Sequence, residues 1–165
     1  MKTHLIIGMI LALSGFCSTS CLSQSTNVFS AGHVIVPASH IYIHGISTWK
    51  LEQWKLEESD VSAVEASIYA LFANPDKRIK GLLEDNPKRA PFPLSDYYMQ
   101  YASVIIKGGK KLIIGKGFHK LKKNPKLVLQ SSSQLVICGG GSYYFTVVYD
   151  VADKRILELE YNAGF

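Results

Sequence analysis

The sequence has few cysteines, with three in 165 residues, at positions 17, 21 and 138. Small exported domains that depend on disulfides carry a denser set, so a hydrophobic core must hold this fold. If Cys21 is lipidated, Cys138 is left as a lone thiol, which we expect to be buried. If Cys21 is unmodified, a Cys21–Cys138 disulfide stays an alternative.

Long hydrophobic runs are also lacking. The run at residues 5–13, LIIGMILAL, ends at Ser14, whereas a membrane-spanning helix needs about 20 apolar residues. Lys2 precedes this run and small polar residues follow it, which is the layout of a secretory signal. We therefore expect residues 1–20 to be a signal peptide. The protein would be periplasmic, held in the cell envelope as a lipoprotein, or secreted.

Two cysteines lie near the expected cleavage site. Cys17 follows the bulky Phe16, whereas Cys21 follows the small residues 18–20, Ser-Thr-Ser. Cys21 therefore resembles the lipidated cysteine of a degenerate bacterial lipobox and is the lipidation candidate. Cleavage by an ordinary signal peptidase after Ser20 fits the same residues, and both alternatives stay open.

The chain lacks the patterns of common catalytic sites. We find no Ser/His/Asp arrangement and no paired carboxylates on a predicted rigid element. The glycines at 139–141 precede YYFTVVYD, which is typical of a strand, and no lysine follows at P-loop spacing. These glycines thus indicate a turn or bulge. We expect no catalytic residue, no cofactor and a non-enzymatic protein.

Histidines offer weak metal candidates. His40 and His44 would lie on the same face of a strand, but a metal site needs a third ligand, and none occurs at ligand spacing. We interpret them as the polar face of an edge strand. The alternative is a metal-dependent or hydrolytic periplasmic enzyme that uses them. His119, in a lysine-rich segment, is expected to be exposed.

One helix is strongly indicated. An apolar stripe at a 3.6-residue period runs through Val61, Val64, Ile68, Leu71 and Phe72. Asp60 is the expected N-cap, with Ser62 and Glu65 as an alternative capping box, and Asn74-Pro75 should end the helix.

The second half of the sequence reads as strands and turns. Gly108-Gly109 and residues 152–154 are expected hairpin turns, and 134–138 an expected short strand. We predict an α+β fold, with one main helix packed on a four- to five-stranded antiparallel sheet, cystatin-like or NTF2-like in shape. A flexible tether at 21–32 would precede a single domain at 33–165.

Lysines form the main chemical asymmetry of a chain with net charge +5. Between residues 107 and 126 there are eight lysines and no acid, and the anion-binding candidates are Lys116, Lys120, Lys122 and Lys123. The alternative interpretation is a solvated edge strand that lysines guard against pairing. Export, and the lack of a stacking platform of several aromatic residues among these lysines, argue against nucleic acid.

Together these features predict an exported envelope module that binds or inhibits a partner. That partner would be an unknown protein or an anionic surface of lipid or glycan. Contact with the membrane would come only through a lipid anchor.

The second half resembles a group of small exported bacterial proteins of unknown function. The shared features are a paired-tyrosine entry to a strand, glycine turns and aromatic strands. They correspond here to Tyr98-Met-Gln-Tyr101, Gly108-Gly109, Lys116-Gly117-Phe118, Gly139-Gly140-Gly141 with Tyr144-Phe145, and Tyr161-Asn162-Ala163-Gly164. The resemblance covers residues 96–165, with the helix at 60–73 before it. It implies the α+β fold and no activity.

Overall fold

The structure is a computed structural model that describes residues 30–38, 42–43, 46–47, 52–81 and 92–162. The expected signal peptide, Cys21 and most of the expected tether lie outside the described residues. His40 and His44 lie outside them as well.

The described residues form an α+β fold with one main helix and a six-stranded sheet. In chain order the elements are β1 (Gly32–Ile35), β2 (Tyr42–Ile43), β3 (Ile46–Ser47), α1 (Glu58–Ala73), β4 (Ile79–Lys80), β5 (Tyr97–Ile106), β6 (Lys110–His119), α2 (Pro125–Leu129), β7 (Tyr144–Asp150) and β8 (Arg155–Tyr161). Strands β2 and β3 form a separate antiparallel pair. Short 3₁₀ turns at Leu94–Asp96 and Gly141–Tyr143 lead into β5 and β7.

The expectation of an antiparallel sheet is wrong, because the sheet is mixed. Its strand order is β1-β5-β6-β7-β8-β4, and only the meander β5–β8 is antiparallel throughout. β1 runs parallel to β5, and β4 runs parallel to β8. The connection from β1 to β5 includes α1 and then β4, which lies at the opposite edge of the sheet and runs antiparallel to both strands.

Helix α1 confirms the predicted stripe but begins earlier than predicted. Its N-cap is Glu57, and the Asp60 carboxylate accepts a hydrogen bond of 3.0 Å from the Glu57 amide. Asp60 is thus in the first turn and is not the N-cap. The helix ends at Asn74, before Pro75, as predicted. Its buried residues are Val61, Val64, Glu65, Ile68 and Leu71.

Both predicted hairpins are present. Ile106 pairs with Lys110 across a turn in which Gly108 and Gly109 have φ of 90° and 76°. Only glycine adopts such angles without strain. The second turn joins β7 to β8 at residues 151–154.

The sheet is covered on both faces. On one face α1 packs on the larger core, which includes Met99, Ile113 and Val147. On the other face lie α2 and residues 131–140. The expected strand at 134–138 is absent from that described segment, because the Leu135 amide bonds to the Gln100 side chain at 2.7 Å and not to a neighbouring strand.

Candidate functional site

The candidate site is the basic loop, which we define as residues 120–127. It follows β6, includes the start of α2 and holds four lysines and no acid, in the sequence KLKKNPKL. Asp96 holds the first residue of the loop, Lys120. The Lys120 amide donates to the Asp96 carbonyl at 2.9 Å, and the Lys120 ammonium lies 2.7 Å from the Asp96 carboxylate. At the start of α2, the Asn124 side chain accepts a hydrogen bond of 2.9 Å from the Lys126 amide. The loop is therefore anchored at both ends.

A buried histidine lies directly beneath this loop. His119 was expected to be exposed, but it is the last residue of β6 and only 2% exposed. Its ring packs within 4.6–5.3 Å, centroid to centroid, of Phe92, Tyr97 and Tyr143. The expectation failed because β6 is longer than the apolar run in the sequence, so residues 116–119 still belong to the strand.

Hydrogen bonding defines the state of this histidine. The His119 Nδ1 atom accepts a hydrogen bond of 3.2 Å from the Leu121 amide, so the proton of the neutral ring is on Nε2. Burial lowers the pKa of His119, Lys120 lowers it further, and Asp96 acts in the opposite direction. The ring therefore favours its neutral form and supports the loop by packing and by its bond to Leu121.

The triple glycine lies at the same end of the sheet. Gly139, Gly140 and Gly141 have φ of 76°, 92° and 54°, so this stretch is a backbone turn, in agreement with the sequence interpretation. The turn presents the Ser142 carbonyl to the Tyr97 hydroxyl, which donates to it at 2.6 Å. It also brings Tyr143 under the basic loop.

Contacts with Tyr143 show how the loop lies on this turn. The Lys122 ammonium is 4.8 Å from the centroid of the Tyr143 ring. A cation at this distance from an aromatic face is attracted to it while its charge stays accessible. The glycine turn thus contributes a platform for the basic loop. Lys122 and Tyr143 are 21 positions apart in the sequence, and the sequence did not predict their contact.

Two leucines of the basic loop are exposed. Leu121 is 76% exposed and Leu127 is 51% exposed. Leu127 borders an open depression of about 560 Å³, which is also lined by Asn124, Lys126, Gln130, Ser131 and Ser132. The surface thus combines ammonium groups, neutral polar groups and apolar side chains.

The structure does not bring all four lysine candidates together. Lys120, Lys122 and Lys123 belong to the basic loop. Lys116 lies within β6, where its amine donates a hydrogen bond of 3.0 Å to the Leu135 carbonyl and where burial lowers its pKa.

Lysines at the start of β6 lie at the opposite end of the sheet. Lys110 pairs with the Asp150 carboxylate at 2.6 Å, and the Lys111 ammonium lies 5.1 Å from the Trp54 ring. β6 is the third of six strands, so the interpretation of these lysines as guards of an edge strand is wrong.

A second polar cluster lies under the N-terminal strand and was not predicted. Glu65, 2% exposed, accepts hydrogen bonds from the Ser30 amide (3.0 Å), the Ser30 hydroxyl (2.7 Å) and the Tyr101 hydroxyl (3.2 Å). His33 of β1 bridges two carboxylates, with Nε2 2.7 Å from Glu58 and Nδ1 3.7 Å from Glu65. Burial and the Glu65 carboxylate raise the pKa of Tyr101 well above its ordinary value.

The sequence contained a signal for this cluster. Glu65 follows Val61 by four residues and precedes Ile68 by three, so it lies on the apolar stripe of α1. A carboxylate at such a position needs hydrogen-bond donors from elsewhere in the fold. Here β1 and β5 supply them.

Over the stretches of chain that the structure describes, histidine, cysteine and carboxylate side chains form no group of three able to hold a metal ion. Within the same stretches, the helices are too short or too polar to cross a membrane. Cys138, expected to be buried, is exposed.

Comparison of the chain with protein-family models, curated proteins and solved structures gives no match.

Proposed function

We propose that this chain is an exported, non-enzymatic binding protein of the cell envelope that holds an anionic partner on its basic loop. The observation that carries the proposal is the concentration of four lysines in eight residues, with Asp96 as the carboxylate paired to one of them. Within the described part of the chain this is the one ion pair of the loop, and its other three ammonium groups create a positive local potential. Such a potential attracts anionic lipid or glycan.

The loop is also held in place before any partner binds. Asp96, His119 and Tyr143 each contact it, through the Lys120 amide, the Leu121 amide and the Lys122 ammonium respectively. A surface that is already ordered loses less conformational entropy on binding. This favours a specific binding surface over a loosely solvated loop.

The location of the protein and the finer description of its fold belong to the same proposal. The signal-like residues 1–20 support export, and Cys21 supports a lipid anchor. Helix α1 against the β5–β8 meander supports the likeness to cystatin-like or NTF2-like folds and to small exported bacterial proteins. Intact-mass analysis of the protein from cells tests the anchor: we expect an acylated N-terminal Cys21, and a mature chain without acyl mass would exclude it.

Charge reversal at the loop tests the binding function. The variant Lys120→Glu/Lys122→Glu/Lys123→Glu is compared with Lys77→Glu/Lys107→Glu/Lys154→Glu, which changes the net charge equally at exposed lysines outside the loop. The probes are heparin and vesicles of phosphatidylcholine with phosphatidylglycerol. We expect the wild-type chain to bind at least one probe, more weakly as salt rises from about 0.1 M to about 1 M.

The two variants then give opposite results if the loop is the binding surface. The loop variant should lose most of the binding, and the control variant should keep it. Equal binding by the loop variant and the wild-type chain, or no wild-type binding to either probe, would overturn the proposed function.

A further inference from the structure

We infer that the basic loop docks on an anionic lipid bilayer by inserting Leu121 and Leu127 between the headgroups. This inference rests on the proposed function and names its partner class. The loop contains both kinds of side chain that a contact with the membrane interface needs, positively charged ones and apolar ones. Lysines occupy positions 120, 122, 123 and 126, and leucines occupy 121 and 127.

The exposed leucines favour lipid over glycan. Leu121 is 76% and Leu127 51% exposed, so both keep large apolar surfaces in water. Transfer of such surfaces into the boundary between headgroups and acyl chains is favourable, whereas a glycan, which is polar throughout, offers them little. The lysine stems extend through the same apolar depth and place their ammonium groups among anionic phosphates.

The path of the N-terminal chain gives independent support. The Ala31 amide donates to the Tyr97 carbonyl at 2.7 Å, and the Lys120 amide donates to the carbonyl of the preceding residue, Asp96, at 2.9 Å. The segment before β1 and the start of the basic loop therefore lie at the same end of the sheet. At that end Gly32 pairs with Tyr98, and Tyr98 pairs with Phe118.

The chain that leads from Cys21 therefore joins the domain at the same end of the sheet as the loop. Nine positions separate Cys21 from Ser30, the first described residue, and they span at most about 30 Å when extended. An acyl chain on Cys21 and the leucines of the loop can thus enter one bilayer. The loop would fix the orientation of a protein that the tether alone would leave free to turn.

Vesicle co-sedimentation tests the inference. The mature protein, without residues 1–20, carries Cys21→Ser in every sample, so that neither the apolar run at 5–13 nor an acyl chain on this residue contributes. Leu121→Ser/Leu127→Ser is compared with Tyr69→Gln, which removes an exposed apolar side chain from α1. The probes are vesicles of phosphatidylcholine with phosphatidylglycerol, vesicles of phosphatidylcholine alone, and heparin.

We expect the leucine variant to bind the anionic vesicles roughly tenfold or more weakly than the wild-type chain, because two leucine side chains are no longer transferred into the bilayer. Tyr69→Gln should bind them as the wild-type chain does, and heparin binding should be the same for all three proteins. Neutral vesicles should bind poorly. Because the leucines are exposed, thermal unfolding should confirm that the variant is folded.

The failures of this inference and of the proposed function are distinguishable. If the leucine variant binds anionic vesicles as the wild type does, insertion is excluded, and the loss of binding in the triple lysine variant still supports the proposed function. Binding to heparin without binding to anionic vesicles also overturns the inference and assigns the loop to a glycan. If neither probe binds, the proposed function fails with it.

Discussion

The Glu65 carboxylate of α1 accepts a hydrogen bond of 3.2 Å from the Tyr101 hydroxyl of β5, and both side chains are buried. The same carboxylate receives the Ser30 amide and hydroxyl, so one side chain connects the helix, the central sheet and the segment before β1. Since that segment leads to the expected tether, Glu65 determines where the N-terminal chain joins the domain.

Removal of the Glu65 carboxylate should destabilise the protein. In Glu65→Ala the Tyr101 and Ser30 hydroxyls lose their acceptor, and we expect the free energy of unfolding to fall by about 2–4 kcal/mol. Glu65→Gln keeps an acceptor oxygen and should lose less. Urea unfolding measures both, with the exposed Ser62→Ala as control. A Glu65→Ala protein as stable as wild type would show that these bonds contribute nothing.

Because His119 is buried, we predict that the free energy of unfolding falls when the pH is lowered from neutral to mildly acidic values. Because the folded-state pKa of His119 lies below its ordinary 6.5, unfolded chains bind the proton more readily. Stability from this residue is therefore complete above about pH 6.5 and is lost as pH falls towards the folded-state value. Urea unfolding near pH 7.5 and near pH 5.5 should show a fall in wild type that is smaller in His119→Phe.

The chain contains four other histidines, so the readout is the difference between the two proteins. If His119→Phe loses as much stability as wild type between these pH values, His119 does not contribute to the pH dependence.

The ion pair between Lys110 and Asp150 predicts that the stability of the protein also depends on pH in a more acidic range. The hydrogen bond from Lys110 lowers the pKa of the Asp150 carboxyl below its ordinary 3.8, with help from the Asp153 and Ala152 amides and against burial. Its contribution to stability is present above about pH 4 and is lost as pH falls through the folded-state value. Lys110→Gln should therefore begin acid unfolding at higher pH than Lys107→Gln, which removes the same charge. Identical acid transitions would argue against the pair.

Substitutions at Gly108 and Gly140 compare the cost of backbone strain alone with the cost of strain plus overpacking. Gly108 and Gly140 have φ of 90° and 92°, but a Cβ at Gly108 has no neighbour within 4 Å, whereas one at Gly140 would lie 2.5 Å from the Tyr144 ring. Gly108→Ala should cost about 1–2 kcal/mol from strain alone. Gly140→Ala should cost at least about 1 kcal/mol more because the site is overpacked. Thermal unfolding of both compares them, and equal costs would show that Tyr144 moves aside freely.

Periodicity and turn chemistry predicted α1 and the two hairpin turns but not how the strands pair across the sheet. The stripe of α1, its end at Asn74 and the turn at Gly108-Gly109 depend on neighbouring residues, and local sequence reports them. The parallel placement of β1 beside β5 depends on a long connection through α1 and β4, so the alternation within each strand does not report it.

The candidate site was likewise predictable from the sequence only in part. The lysines of the basic loop were visible in the sequence, but their separation from Lys116 follows from the length of β6. The burial of His119 also follows from that length, and from Phe92 and Tyr143, which come from distant parts of the chain. Glu65 was identifiable from its place on the apolar stripe, whereas its donors, Ser30 and Tyr101, were not.

The central claim is that the basic loop is the surface that meets an anionic partner. Hydrogen–deuterium exchange with and without phosphatidylglycerol-containing vesicles tests it most directly, since exchange is read out along the whole chain. We predict slower exchange in residues 120–127 on addition of vesicles, and no change in the turn at Lys107, Gly108 and Gly109 at the opposite end of the sheet. Protection at that turn, or unchanged exchange in 120–127 when the protein is vesicle-bound, would contradict the claim.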